Sequence, residues 1–410
     1  MDTVHQKCGG LDVHAKTVVA CARRVDETGG IVRTVRTFGT TTADLLALAE
    51  WLKAEGCTHV VMESTGVYWK PVWHILEETC TLVLANAQHV RNIPGRKSDA
   101  NDATWLADLL AHGLIRGSFV PPAPVQALRD LTRTRKQLVR TAAQHTLRLQ
   151  KVLEDANVKL TEVVSDVVRG ASGRAILNAL VAGETDPVVL AACATTQLRA
   201  TPAMLQAALQ GRLTAHHRFL LQLHLAQIDT LDRAVRDVEA RIGETLGDFQ
   251  PAVDRLTTMP GVSQTLARVI VAEIGTDMTR FPTAGHLVSW AGLCPRLHES
   301  AGKRLSTRIR PSAPWLKTNL VQGAWAAARK RDCYFHAQFL RLKSRRGPKK
   351  AIVAVAASML TAAYHILRDE VPYRDLGADH FDRRDKTRLT TRLLRRLKDL
   401  GVDVEIRPAA

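Results

Sequence analysis

The chain lacks the cysteine patterns of a zinc-binding or disulfide-linked protein. Its 7 cysteines are scattered and never spaced as Cys-x-x-Cys, so neither a disulfide framework nor a zinc ribbon is predicted. A Gly-x-x-x-x-Gly-Lys loop is also missing, which argues against a P-loop ATPase. We identify neither an apolar run long enough for a membrane-spanning helix nor a signal peptide, so we expect a cytoplasmic protein without a membrane partner.

Acidic residues are in deficit. Lys and Arg number 57 against 40 for Asp and Glu, which gives a formal net charge of +17. A surplus of this size predicts a polyanionic partner, and nucleic acid is the polyanion that we expect. With 410 residues, of which 46% are hydrophobic, the chain is long enough for two or three globular domains.

The first 120 residues show short strands followed by alternating helices and strands. Alternating apolar residues and turn-rich breaks predict a meander of three strands between residues 9 and 38. A helix over 42–55, a strand over 58–63, a helix over 68–78 and a strand over 81–86 are predicted next. This order predicts a mixed sheet and an α/β ribonuclease-H-like (RuvC-like) domain over residues 1–120.

Four carboxylates in this region predict a divalent-metal site for phosphodiester chemistry. Asp12 lies in the first strand, Glu63 ends the fourth, and Asp99 and Asp102 stand three residues apart, on one face of a predicted helix. Carboxylates placed in this way repel one another unless a cation such as Mg²⁺ or Mn²⁺ binds there. Asp99 can also be explained as a favourable charge in the first turn of a helix capped by Ser98. That explanation does not cover Asp102.

A proline-rich break at residues 121–124 precedes a helical coiled-coil region that we assign to residues 121–250. Two long helices dominate it. The second is predicted to self-associate or to pack on the first, because apolar residues follow one seam: Leu221, Ile228, Leu231, Val235, Val238 and Ile242. The first is more basic than solvation requires, so phosphate contacts are predicted for Arg133, Arg135 and Lys136.

Residues 251–375 are predicted to form a mainly helical C-terminal domain, followed by a basic tail over residues 376–410 that could bind nucleic acid. Around Gly261 the sequence is similar to the hairpin of a helix-hairpin-helix element, whose amides can hold a phosphate. An ordinary Pro-Gly turn explains that glycine equally well. Ser300 lies in a Gly-containing loop and could be a nucleophile, although such a serine is more often a phosphate contact. The cations near it are Lys303, Arg304, Arg308 and Arg310.

Five motifs in a fixed order resemble the insertion-sequence 110 (IS110) family of transposases. They are Leu-Asp-Val-His-Ala-Lys at 11–16, Met-Glu-Ser-Thr-Gly-Val-Tyr-Trp at 62–69, Gly-Arg-Lys-Ser-Asp-Ala-Asn-Asp-Ala at 95–103, Gly-Leu-Ile-Arg at 113–116 and Glu-Ser-Ala-Gly-Lys-Arg at 299–304. The resemblance extends from about residue 8 to residue 370. It implies a DEDD-type RuvC-like domain, a coiled-coil middle and a C-terminal transposase domain with a catalytic serine.

The resemblance also implies a mechanism. Asp12, Glu63, Asp99 and Asp102 match the family's metal-binding acidic set, and Ser300 matches the serine that forms a covalent phosphoserine link to DNA. The family works as a recombinase of bacterial insertion sequences on double-stranded DNA, guided by a structured bridge RNA. Its two half-sites come from different subunits, which implies a dimer or tetramer. Basic residues beside the acidic motifs are further candidate nucleic-acid contacts: Lys16, Arg96 and Lys97.

Three other interpretations stay open from the residues alone. A ribonuclease-H-like nuclease, such as a Holliday-junction resolvase, would use the acidic set with water as the nucleophile. An actin-like ATPase would need a Gly-Thr phosphate loop after Asp12, where this chain has Val-His-Ala-Lys. A non-catalytic nucleic-acid-binding protein explains the charge but not the carboxylates. Ser306 and Ser312 are competitors of Ser300 for the role of nucleophile.

Overall fold

The computed structural model of the protein describes residues 3–63, 66–86, 90, 102–195, 198–295, 298–306, 308–310, 312–384 and 386–404. The chain divides into two compact units, residues 1–120 and 121–410. The first contains a five-stranded sheet. In the second, the described residues are mostly helical, apart from one small hairpin.

The sheet of the first unit is mixed. Its strands are β1 (Lys7–Val13), β2 (Thr17–Val25), β3 (Ile31–Gly39), β4 (His59–Glu63) and β5 (Thr81–Ala85), in the order β3-β2-β1-β4-β5. The first three pair antiparallel, while β1, β4 and β5 run parallel. Helix α1 (Thr42–Ala54) connects β3 to β4, and helix α2 (Trp69–Leu76) makes the crossover between the parallel strands β4 and β5. The predicted meander and mixed sheet are therefore confirmed.

The two faces of the sheet bury different helices, because successive side chains of a strand point to opposite faces. On one face, Leu11 and Met62 belong to the core that includes residues of α1 and α2. On the other, Cys8 and Val61 share a core with α3 (Asp102–Ala111). Burial there raises the pKa of the Cys8 thiol to about 11, so this cysteine stays protonated.

Two long helices pack side by side in the second unit. The helix α4 (Ala123–Asp155) is followed by four short helices, α5 (Leu160–Val163), α6 (Ala171–Ala182), α7 (Pro187–Ala192) and α8 (Pro202–Leu209), and then by α9 (Ala215–Leu246). Contacts between 135 and 239, 145 and 224, and 155 and 217 show that α4 and α9 are antiparallel. Of the predicted seam, Leu221, Ile228 and Ile242 are buried. A coiled coil between copies of the chain remains a prediction.

The rest of the second unit is a helical domain around one core. Its elements are α10 (Gln250–Thr257), α11 (Gln264–Ile274), α12 (Ala284–Trp290), β6 (His298–Ser300), β7 (Lys303–Ser306), α13 (Pro314–Arg329), α14 (Tyr334–Arg346), α15 (Pro348–Asp369), α16 (His380–Arg384) and α17 (Lys386–Asp399). The core joins α10, α11, α13 and α15 through buried side chains such as Leu256, Ile270, Leu320 and Val355.

One sequence expectation about apolar segments is wrong. The helix α15 has 22 residues, and its length and apolar composition would allow it to cross a membrane. In the fold, however, Val355, Ala356 and Met359 of this helix are fully buried. The apolar character of α15 is therefore explained by its place at the centre of the helical core.

Candidate active site

Two of the predicted carboxylates lie side by side on the sheet. Leu11 of β1 pairs with Met62 of β4 in parallel register, so Asp12 and Glu63 are the next residues of two adjacent strands. Because Leu11 and Met62 face α1 and α2, the residues that follow them face α3. The carboxyl ends of β1 and β4 thus present two acidic side chains on one face.

A third carboxylate reaches the same end of the sheet through a close helix–strand contact. Cys8 donates its S–H to the carbonyl oxygen of Ala107 at 3.5 Å, and Gly10 lies against the backbone of Ala103. As β1 advances from residue 8 to 10, α3 therefore runs back towards its first residue, Asp102. A Cβ on Gly10 would lie 2.1 Å from the Ala103 carbonyl oxygen, so only glycine allows this approach.

A histidine that sequence reasoning missed is next to the first carboxylate. The Nε2 atom of His14 lies 3.1 Å from Oδ2 of Asp12, and the two side chains are 59% and 27% exposed. The turn between β1 and β2 holds this histidine in place, since its N–H donates to the carbonyl oxygen of Thr17 at 2.9 Å. Lys16, a predicted nucleic-acid contact, is exposed in the same turn. The Asp-x-His spacing at the end of a strand was the available signal.

An ion-pair cluster fixes the far half of α3. Asp108 accepts from Nε of Arg23 at 3.0 Å and from Nη2 of Arg33 at 3.0 Å. The Arg23 side chain is fully buried, while Arg33 is 39% exposed. Both arginines come from the antiparallel strands β2 and β3. Asp108 is not part of the predicted acidic set. Its ion pairs hold α3, the helix that carries Asp102, against the sheet.

The donor set fits a hard divalent cation. Asp12, Glu63 and Asp102 offer only carboxylate oxygens, which Mg²⁺ and Mn²⁺ prefer to nitrogen or sulfur. Across the described ranges, no group of three or more His, Cys, Asp or Glu side chains is close enough to hold a metal ion. Asp99, the fourth acid of the predicted set, lies outside the described residues, as do Arg96 and Lys97.

The candidate nucleophile lies on a hairpin and not in an irregular loop. Ser300, the last residue of β6, pairs with Lys303, the first residue of β7. Between them, Ala301 and Gly302 have φ angles of 48° and 73°. Two consecutive residues with positive φ form the two-residue turn that matches the twist of a hairpin. The backbone of Ser300 is therefore fixed by strand pairing.

The hydroxyl groups of the two competing serines, Ser306 and Ser312, form hydrogen bonds within the protein. Ser312 donates its hydroxyl proton to the carbonyl oxygen of Trp290 at 2.5 Å. The hydroxyl of Ser306 accepts from the N–H of Arg308 at 3.2 Å. Both hydroxyls thus stabilise the local chain. The hairpin region also offers cations, because Lys303, Arg308 and Arg310 are exposed, while Arg304 belongs to β7.

The predicted phosphate contacts on α4 have partners within the chain. Arg133 donates two hydrogen bonds of 2.8 Å to the carboxylate of Glu273, which is 2% exposed. Arg135 donates to Glu239 at 2.7 Å. Lys136 has its ammonium 5.7 Å from the centre of the Trp315 ring, and burial lowers the pKa of this lysine. These cations stabilise the packing of α4, and their contact with nucleic acid remains a prediction.

The structure gives Gly261 a packing role. Its φ is +81°, and a Cβ there would lie 2.3 Å from the carbonyl oxygen of Gly323 and 2.6 Å from the amide nitrogen of Ala327, both in α13. Ser263 caps α11 by accepting from the N–H of Leu266. The glycine is required by close packing, so a phosphate contact at this turn stays a prediction.

Comparison with known proteins defines the class. A family model described as "Transposase" matches residues 9–158, which include the acidic end of the sheet. A second model, described as "Transposase IS116/IS110/IS902 family", matches residues 253–339, which include the serine hairpin. The chain is therefore a transposase, a class of protein that acts on DNA.

Similar proteins lead to the same family. The chain is 27% identical over 324 residues to a protein of Pseudomonas aeruginosa named "Probable family 20 transposase", which covers 77% of this chain and 85% of that protein. It is 32% identical over 145 residues, 34% of each chain, to a Streptomyces coelicolor protein named "Insertion element IS110 uncharacterized 43.6 kDa protein". The chain belongs to the IS110 family of transposases.

Proposed function

We propose that this transposase cuts and rejoins DNA strands with an acidic metal site and a serine nucleophile. The observation that carries the proposal is that Asp12 and Glu63 end adjacent strands on the sheet face covered by α3, whose first residue is Asp102. Asp99 is proposed as the fourth member of the set. A Mg²⁺ or Mn²⁺ ion held there would neutralise the charge of the scissile phosphate.

In this proposal the Ser300 hydroxyl attacks the scissile phosphorus. The hydroxyl loses its proton, a serine Oγ–P bond forms, and the bond from phosphorus to the 3′ oxygen breaks. The 3′ oxygen takes up a proton, which leaves a 5′-phosphoserine and a free 3′-hydroxyl. Attack by a different 3′-hydroxyl on the phosphoserine reverses these steps and joins a new pair of strands. The phosphoester is conserved throughout, so no ATP is needed.

Family resemblance supports the finer parts of the proposal. It suggests that the acidic set and Ser300 act together on one phosphate, with the two half-sites supplied by different subunits of a dimer or tetramer. It also suggests that a bridge RNA selects the element ends and the target. The protein would then work in the cytoplasm, with double-stranded DNA and this RNA as partners.

The decisive experiment traps the covalent intermediate. We would incubate the full-length protein, Mg²⁺, the RNA recovered with it and a nicked suicide substrate, and then look for a protein–DNA adduct on a denaturing gel. Ser300→Ala should abolish the adduct, whereas Ser306→Ala should keep it. An adduct formed by Ser300→Ala would refute the serine assignment.

A water-dependent nuclease is the second candidate. Asp12, Glu63 and Asp102 all belong to the first unit, and metal-dependent hydrolysis of a phosphodiester needs no serine. If Ser300→Ala cuts DNA at the normal rate while Asp12→Asn does not, this candidate replaces the recombinase. Recovery of a single RNA species that is required for Mg²⁺-dependent strand exchange would favour the recombinase.

A further inference from the structure

The second unit contains an arginine-lined cleft near the C-terminal end of its helical core. The cleft has a volume of about 630 Å³. It lies between the extended segment that follows α15 and the short helix α16. Its lining residues are Arg374, Asp375, Leu376, His380, Arg383 and Arg384. Neither the acidic site nor the serine hairpin includes any of these residues.

Two of the three arginines are available to a ligand. Arg383 pairs with Asp379 at 2.9 Å and donates to the carbonyl oxygen of Leu376 at 2.9 Å, so its guanidinium is held by the chain. Arg374 and Arg384 are exposed and have no carboxylate partner within the described part of the chain. Two exposed guanidiniums in one cleft, neither paired with a carboxylate of the described residues, favour an anion with several oxygens, such as a phosphate.

The one carboxylate of the lining is used by the fold. Oδ1 of Asp375 accepts from the N–H of Tyr334 at 3.0 Å and from the N–H of Gly377 at 2.7 Å. These two bonds hold the start of α14 and the turn before α16. The positive φ of Gly377, 86°, gives the turn the shape that closes the second bond. Asp375 therefore shapes the cleft, and among the described residues its carboxylate forms no ion pair with Arg374 or Arg384.

The cationic surface extends from the cleft in two directions along the chain. Arg341 places its guanidinium 4.8 Å from the centre of the Phe381 ring, in α16. From there, residues 341–350 contain six Lys or Arg and no acid. The helix α17, which follows α16 after one residue, contains six Lys or Arg and one Asp. A single phosphate would use the cleft alone, so this extension favours a chain of phosphates.

We infer that the cleft binds the phosphates of a polynucleotide strand, with Arg374 and Arg384 as the contacting residues. The site shares no residue with the proposed acidic set or with the serine hairpin. The inference goes beyond the proposed function, which requires no site in this region. Either one can fail while the other stands.

The test removes the two arginines and compares the loss with that of two others. Arg374→Gln/Arg384→Gln is the test variant, and Arg233→Gln/Arg236→Gln, two exposed positions of α9, is the control with the same change in net charge. Affinity is measured by fluorescence anisotropy on short labelled single-stranded RNA, single-stranded DNA of the same sequence and duplex DNA, over a range of salt concentrations.

We expect the test variant to lose about tenfold or more in affinity. For single strands, its slope of log affinity against log salt should be shallower by about 1.4, since each lost phosphate contact removes about 0.7. A loss on RNA alone would support the inference and identify RNA as the ligand, and an equal loss on all three would support phosphate recognition alone. If the test variant and the control bind equally well, the inference is wrong.

Mg²⁺-dependent DNA cleavage is measured on the same protein samples. The wild-type protein could fail to cleave DNA while its binding of nucleic acid still depends on Arg374 and Arg384. That result would count against the proposed function and not against this site. Both arginines are exposed, so the test variant should also melt at the wild-type temperature.

Discussion

Gly10→Ala tests whether the contact between β1 and α3 controls the acidic site. A methyl group at this position would lie 2.1 Å from the carbonyl oxygen of Ala103 and 2.5 Å from the amide nitrogen of Ala107. Both atoms belong to the backbone of α3, so no side-chain rotation relieves the clash. Real Cβ contacts do not come below 3.0 Å, so α3 must retreat by about 0.9 Å.

The size of the effect follows from this displacement. Overpacking a core costs about 1–3 kcal/mol, and we expect the upper part of that range because backbone atoms must move. The retreat also takes Asp102 away from Asp12 and Glu63. A misplacement of about 1 Å at a reacting centre can lower a rate about 100-fold. Gly10→Ala should therefore lower both the unfolding free energy and the rate of Mg²⁺-dependent DNA cleavage.

The neighbouring glycine provides a matched control. A Cβ on Gly9 would lie 3.2 Å from Cδ2 of Leu52 and 3.2 Å from Cγ2 of Val60, which are side-chain ends on the other face and can shift. Calorimetry of the full-length variants gives the stability, and cleavage is assayed at a temperature where both are folded. The reasoning is refuted if Gly10→Ala and Gly9→Ala cleave at the same rate.

Three further predictions concern charge, pH and a hydrogen bond. Asp108→Asn should cost about 3–5 kcal/mol of unfolding free energy because it leaves the buried Arg23 without a charged partner. Arg33→Gln, which removes the partly exposed partner of Asp108, should cost about 1 kcal/mol or less. Equal losses of unfolding free energy in denaturant titrations would contradict this prediction. Burial lowers the pKa of His224 from 6.5, so the unfolded chain binds more protons at this residue and the stability falls as the pH drops below about 6.5. His224→Gln should therefore flatten the plot of melting temperature against pH below about pH 6.5. An unchanged plot would exclude His224 as the source of this pH dependence. Ser312→Ala should cost about 1 kcal/mol yet still form the DNA adduct, whose absence would reopen the choice of nucleophile.

Local patterns in the sequence predicted the strands and helices of the first unit well. Two-residue alternation and turn residues identify β1 to β3, and the apolar periods of α1 and α2 are equally local. The positions of Asp12 and Glu63 at strand ends followed from these patterns. Their common face follows from strand register, which depends on pairing across about 50 residues and is known only once the sheet is formed.

The features that sequence patterns did not predict depend on contacts between residues that are distant in sequence. Asp108 and Arg23 are 85 residues apart, and Arg133 and Glu273 are 140 apart, so no local pattern indicates either pair. The phosphate role predicted for the basic residues of α4 rested on their number alone. Likewise, the Ala-Gly turn after Ser300 differs from the Asn-Gly or Asp-Gly pairs that usually signal a hairpin, so the sequence suggested a loop.

The turn after Ser300, the proposed nucleophile, has only two residues, so its length determines the register of the hairpin. Adding or removing one residue there would shift the register of β6 on β7, and such a shift turns every side chain of a strand to the opposite face. The φ of 48° at Ala301 also restricts the replacements that fit, with Gly, Asn and Asp the least strained. Insertions or bulky β-branched residues should thus be absent at this turn in active relatives, although it carries no proposed catalytic group.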